Sequence, residues 1–136
     1  MLLIAACAAV LVIFGAVFAF KAVFGICPYK NLNADDIESV SLFVLPPGTE
    51  VTLERDDIEE LTEILHNVRI YNRSWDHLFS GGQNCVYTIT FKNGSETVIN
   101  AANPSLIIDG KGYRTEYEPC ERLNNLANTL ADTPFK

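Results

Sequence analysis

Charge is missing from the first twenty residues: Met1 to Phe20 reads MLLIAACAAVLVIFGAVFAF, and Lys21 is the first charged side chain. A helix on the surface of a soluble domain carries a polar face, and this stretch has none. The basic opening of a secretory signal peptide is missing as well, and no small-x-small cleavage site stands at the junction with the polar sequence. No GxxxG spacing directs helix pairing. Histidine is scarce, with His66 and His77 alone, and no CxxC, HxxxH or HExxH spacing supplies the three or four ligands of a zinc site. Basic residues are few, 10 Lys+Arg against 17 Asp+Glu for a net charge of -7, which argues against a nucleic-acid binder.

What is present begins with the leader. At 1.5 Å per residue, a helix of about 20 residues spans the roughly 30 Å hydrocarbon layer. Residues 1–27 therefore predict one membrane-spanning helix that anchors the chain. The tetrapeptide Ile4-Ala5-Ala6-Cys7 offers a rival, a lipoprotein box with the lipid on Cys7. Only six residues precede that cysteine and thirteen apolar ones follow it, which favours the uncleaved helix. Lys21 and Lys30 lie on the C-terminal flank, and the positive-inside rule alone would turn that flank to the cytoplasm. Two lysines do not fix the orientation.

Residues 31–136 hold all 17 acids and 8 of the 10 bases, enough chain for one small domain with one core. Ile37 to Leu45 alternates imperfectly as a half-buried strand, Pro46-Pro47-Gly48 turns, and Glu50 to Glu54 returns. From Asp56 to Val68, Ile58, Leu61, Ile64, Leu65 and Val68 form one helical stripe, with Asp56 and Asp57 at its start. Residues 69–83 read as a loop. Val86 to Lys92 is a period-2 strand, and Asn93-Gly94 predicts a hairpin turn with positive φ at both positions. Strands at 96–100, 106–108 and 112–115 follow, with a second hairpin at Asp109-Gly110-Lys111. Cys120, Leu123, Leu126, Ala127 and Leu130 mark a final helix. The order β-β-α-β-β-β-β-α predicts an α+β fold, a small antiparallel sheet packed with two helices.

Few residues suggest chemistry. His77 beside Asp76, with Ser74 or Ser80 near in sequence, could be drawn as a hydrolase constellation, yet such residues recur in solvated loops. The acidic run from Glu50 to Glu63 lacks the alternating ligands and central glycine of a calcium loop, and a helix start with a solvated face accounts for it. No cofactor motif is present. Cys85 and Cys120 stand beside apolar positions and admit two readings. One is a disulfide stapling sheet to helix in an oxidising compartment; the other is a pair of buried free thiols. Tyr71, Trp75 and Phe79, spaced by four, either pack over the sheet or rim a groove for a peptide or ligand.

Several segments together resemble a known type of domain. They are the leading apolar helix, Asp35-Asp36-Ile37-Glu38-Ser39-Val40, Asp56-Asp57-Ile58-Glu59-Glu60-Leu61, the strand end Phe91-Lys92-Asn93-Gly94, and LIIDGKGY from Leu106 to Tyr113 before a cysteine-led helix. Over residues 31–131 the chain resembles small membrane-anchored extracytoplasmic domains of Firmicutes, similar to those that follow the membrane part of antirepressor-type, β-lactam-sensing zinc peptidases. The resemblance implies an extracytoplasmic domain without a known reaction, and the missing HExxH carries no peptidase activity over. The expectation is a single-pass membrane protein, not an enzyme. Its acidic domain, residues 31–136, would act as a sensor or accessory module for a protein or peptide partner, with no nucleic acid involved.

Overall fold

The computed structural model describes residues 1–74, 82–102 and 105–132. The leader is helix α1, Leu2–Phe24, closed at Gly25, whose N–H donates to the Lys21 carbonyl at 3.0 Å. Its 22-residue stretch Leu3–Phe24 is long and apolar enough to cross a membrane, and none of it is buried against the rest of the chain. Lacking a polar face, this helix has no side that favours water and none that selects a core.

The remaining elements are β1 (Ile37–Leu45), β2 (Thr49–Thr52), α2 (Arg55–His66), β3 (Ile70–Arg73), β4 (Asn84–Phe91), β5 (Glu96–Ala102), β6 (Ser105–Ile108), β7 (Lys111–Thr115) and α3 (Tyr117–Asp132). All seven strands join one antiparallel sheet in the order β2-β1-β4-β5-β6-β7-β3. The class is α+β, as the hydrophobic patterns predict. One strand is added: β3 occupies part of what reads in sequence as a loop. Four residues without strict alternation give no local strand signal, and β3 exists because Ile70 and Arg73 pair with Thr115 and Tyr113 of β7. That partner is distant in the chain and invisible to a local window.

Binary patterning places the core. Val40, Leu42 and Val44 of β1, Cys85, Tyr87 and Ile89 of β4, Ile99 and Ala101 of β5 and Leu106 of β6 are all buried. They meet the stripes Ile58, Leu61, Ile64 and Leu65 of α2 and Cys120, Leu123, Leu126 and Ala127 of α3. Because strand side chains alternate, the residues between them face the other way, onto a sheet surface that neither helix covers. Tyr87, fully buried, donates its hydroxyl to the Leu123 carbonyl at 2.6 Å, pinning α3 to the middle of the sheet.

Local signals were right in kind and shifted in detail. Helix α2 begins at Arg55 with Glu54, and not Asp56 or Asp57, as its N-cap; Asp57, at the third helical position, accepts the Glu54 N–H at 3.1 Å in a reciprocal capping box. At the β4–β5 turn only Gly94 has positive φ (86°), correcting the expectation for Asn93. The Gly94 N–H donates to Phe91 O at 2.9 Å, while Asn93 Oδ1 accepts from Ser95 N at 2.8 Å and from Ser95 Oγ at 2.6 Å. Local bonding by the asparagine side chain thus holds a three-residue connection in place of a two-residue one. The two-residue geometry occurs at Asp109-Gly110, where both φ are positive (48° and 78°) and Ile108 pairs with Lys111.

Candidate functional site

The segment between α1 and β1 is built into the domain rather than left as a tether. Ile26 exchanges both backbone hydrogen bonds with Ile70, each 2.8 Å, adding a one-residue rung outside β3. The Arg69 guanidinium donates to the Phe24 carbonyl at the end of α1. Further along, the Tyr29 hydroxyl bonds Thr97, and burial pushes its pKa up to about 12. The Leu32 carbonyl lies 2.7 Å from His66 Nε2, and the Lys92 N–H donates to Asp36 O at 2.9 Å. Arg55 closes the run: it holds Asp35 at 2.6 Å and Glu59 at 2.8 Å, and donates to Ala34 O at 3.3 Å. Both ion pairs are exposed and worth little individually.

Gly25 is the hinge residue of this joint and adopts φ 66° with ψ -177°. A Cβ there would lie 2.8 Å from Arg69 Cγ, 2.8 Å from the Ile70 carbonyl oxygen and 3.0 Å from Tyr71 Cε1. Glycine is required twice over, by the dihedrals and by the approach of two backbones.

The second feature is the helix-free face of the sheet. Register aligns Phe43 with Val86, Val86 with Asn100, and Asn100 with Ile107, one row across β1, β4, β5 and β6. Phe43 and its neighbour on that face, Leu45, are 41% and 48% exposed. Asn100 Nδ2 donates to Asn84 Oδ1 at 3.1 Å. Its Oδ1 is buried and, among the described residues, is the side-chain polar atom left without a partner. Sequence reading missed this row, since a period-2 pattern shows which residues share a face of one strand but not which strands stand side by side.

Of the residues singled out from sequence, Cys7, Tyr71, Ser74, Cys85 and Cys120 lie within the described part of the chain. Tyr71 lies on β3, its ring against Gly25 and its hydroxyl donating to Glu116 Oε1 at 2.9 Å, which raises its pKa. Trp75 and Phe79, like Asp76, His77 and Ser80, lie outside the described residues. Ser74 is buried, and its N–H donates to Gly112 O at 2.9 Å. Cys85 and Cys120 are free thiols, both buried. Cys85 Sγ donates to Asn124 Oδ1 at 3.1 Å, and Asn124 Nδ2 donates to Cys120 O at 2.9 Å. Cys120 Sγ sits 3.9 Å from the Ser105 carbonyl. Of the two readings the sequence allowed, the structure has the unbonded pair, and burial pushes each thiol up to about 11. Such thiols are poor nucleophiles at neutral pH. Cys7 lies in exposed α1.

Among the described residues no three His, Cys, Asp or Glu side chains cluster to hold a metal ion. The groove between Asn31–Asp36 and the β4–β5 turn is shallow and amide-lined. Its Asn33 and Asn93 acceptors are already taken by Asp35 and Ser95. Its remaining polar groups form no hydrogen-bonded acid–base pair. The arrangement is that of a surface and a joint. No protein-family model, curated protein or solved structure matches this chain.

Proposed function

We propose that the chain is a single-pass membrane-anchored protein whose acidic α+β domain stands outside the cytoplasm and binds a protein or peptide partner, as a sensor or accessory module. The observation that carries the reading is the row Phe43–Val86–Asn100–Ile107 on the face that neither helix covers. The exposed aromatic and aliphatic side chains Phe43 and Leu45, at the β1 end of that row, lose water favourably when covered. A partner offering apolar contact to Phe43 and Leu45 meets that demand. Tyr71, with Trp75 and Phe79 beyond it in the chain, belongs to the same proposal as a second contact region.

The joint supports the sensor half of the reading. Load applied to the sheet reaches α1 through the Ile26–Ile70 bonds and the Arg69 contact, with no slack segment between. The resemblance to domains that follow the membrane part of antirepressor-type zinc peptidases favours the extracytoplasmic side. In this reading the domain performs no reaction of its own.

A photo-crosslinking amino acid placed at Phe43 in the full chain, with Glu38 as an exposed control on the same strand, tests the face. A discrete adduct from position 43 and none from 38 is expected; the same products from both positions would reject it. Labelling of Ser95→Cys by a membrane-impermeant maleimide tests the side. Reaction in intact cells is expected, and reaction only after lysis would place the domain in the cytoplasm.

A further inference from the structure

The charge of this chain is unevenly distributed in space. Residues 21–30, 69–73 and 109–116 carry six of the ten bases (Lys21, Lys30, Arg69, Arg73, Lys111 and Arg114) and two of the seventeen acids. The rest of the chain holds four bases against fifteen acids. Those segments are far apart in sequence, and the fold brings them together: β7 pairs with β3, β3 carries the Ile26 rung, and Arg69 bonds the last carbonyl of α1. Lys21, Lys111 and Arg114 are exposed, whereas Lys30 lies apart from them, in a groove with Glu59, Glu63 and His66 of α2. The two acids at this edge are engaged locally, Asp109 with Thr97 Oγ1 and the Val98 N–H, Glu116 with the Tyr71 hydroxyl.

We infer that the β3–β7 edge, with Lys21, is a docking surface for anionic phospholipid headgroups of the leaflet from which α1 emerges. The inference rests on α1 crossing a bilayer, as proposed above. Ile26 stands two residues beyond the end of α1, and two residues span at most about 7 Å. Because Ile26 is bonded into the sheet, the start of β3 lies within about one Debye length of the helix end. At that separation the headgroup potential keeps roughly a third of its surface value, and each basic residue there is attracted to it. The acidic remainder is repelled by the same field. Attraction at one edge and repulsion elsewhere turn a domain on a rigid joint into one preferred pose on the membrane.

The test reconstitutes the full chain in nanodiscs of phosphatidylcholine, alone or with a third of the lipid replaced by phosphatidylglycerol, and reads lysine acetylation by mass spectrometry. Lys111 on β7 reports the edge. Lys92, at the β4–β5 turn and about four strand spacings (roughly 19 Å) from β3, serves as the internal control. Anionic bilayers concentrate protons at their surface about threefold. Labelling of Lys111 relative to Lys92 is therefore expected to fall about threefold in the anionic discs and to recover in high salt. If Lys111 and Lys92 respond alike, or only Lys30 responds, the docking surface is refuted while the anchor stands. If the chain does not enter either disc, the anchor fails and this surface with it. The variant Arg114→Gln, at an exposed position, is expected to fold unchanged and to lessen the fall at Lys111; an undiminished fall would also count against the surface.

Discussion

Replacing Gly25 with alanine puts the joint between the apolar helix and the sheet to its hardest test. Alanine inherits φ 66° and ψ -177°, a region nearly confined to glycine that costs about 1–3 kcal/mol for other residues. Its Cβ also meets Arg69 Cγ and Ile70 O, each at 2.8 Å. The arginine side chain can swing aside, but Ile70 O is backbone and already accepts the Ile26 N–H at 2.8 Å. Relief comes only by separating the two backbones, which gives up the pair of Ile26–Ile70 hydrogen bonds at about 1 kcal/mol each. Opening of the joint therefore becomes easier by about 2 kcal/mol, roughly a thirtyfold rise in the open population. The centre of the core is expected not to share that loss, because the atoms nearest the added Cβ belong to Arg69, Ile70 and Tyr71, at the edge of the sheet. Amide hydrogen exchange on the full chain resolves the two regions. The Ile26 and Ile70 amides should exchange roughly thirty times faster in the variant, with those of Tyr87 and Ile89 unchanged. Unaltered protection at Ile26 and Ile70 would refute the close-approach argument, and uniform loss of protection would show that joint and core are one cooperative unit.

Other outcomes follow from single contacts. Leu61→Ala, at a site with no exposure, should lower unfolding stability by about 3 kcal/mol in a denaturant titration, whereas Phe43→Ala on the helix-free face should change it by less than about 1 kcal/mol. Tyr87→Phe leaves the Leu123 carbonyl without its buried donor and should cost about 1–2 kcal/mol; a change near zero would mean that water replaces the hydroxyl. Burial raises the Cys85 and Cys120 thiols from 9.0 to about 11, so the folded chain keeps protons there that the unfolded chain releases. Their contribution is complete below pH 9 and is lost as pH climbs toward 11, on the order of 2 kcal/mol per thiol. A Cys85→Ala/Cys120→Ala variant should flatten that alkaline decline, and an unchanged slope would assign it to other groups. Asn100→Val removes an unpartnered acceptor together with the Nδ2 donation to Asn84 Oδ1, so the two effects offset and the thermal midpoint should reflect a change within about 1 kcal/mol; a larger loss would assign the position to the Asn84 bond.

Much of the architecture was legible because it rests on local rules. The α2 stripe from Ile58 to Leu65, the period-2 run of β4 and the Asp109-Gly110 turn each report a periodicity or dihedral demand that neighbouring residues enforce among themselves. The candidate surfaces were not legible in the same way. The expected aromatic set Tyr71, Trp75 and Phe79 was chosen for residue type; Trp75 and Phe79 lie outside the described residues, and the contacts of Tyr71 with Gly25 and Glu116 come from partners distant in the chain. The row through Phe43, Val86, Asn100 and Ile107 was overlooked because three separate strand pairings create it.

By itself the sequence determined that a charge-free apolar helix precedes an acidic α+β domain, since burial preference and helical or strand period are properties of short stretches. Only the tertiary structure decided that β3 exists, that the chain after α1 is bonded into the sheet's edge, that Cys85 and Cys120 remain separate thiols, and that β7, carrying Lys111 and Arg114, pairs with the strand that holds Ile26. Each of those depends on contacts between residues tens of positions apart. Such contacts cost loop-closure entropy and form only when the whole core closes over them.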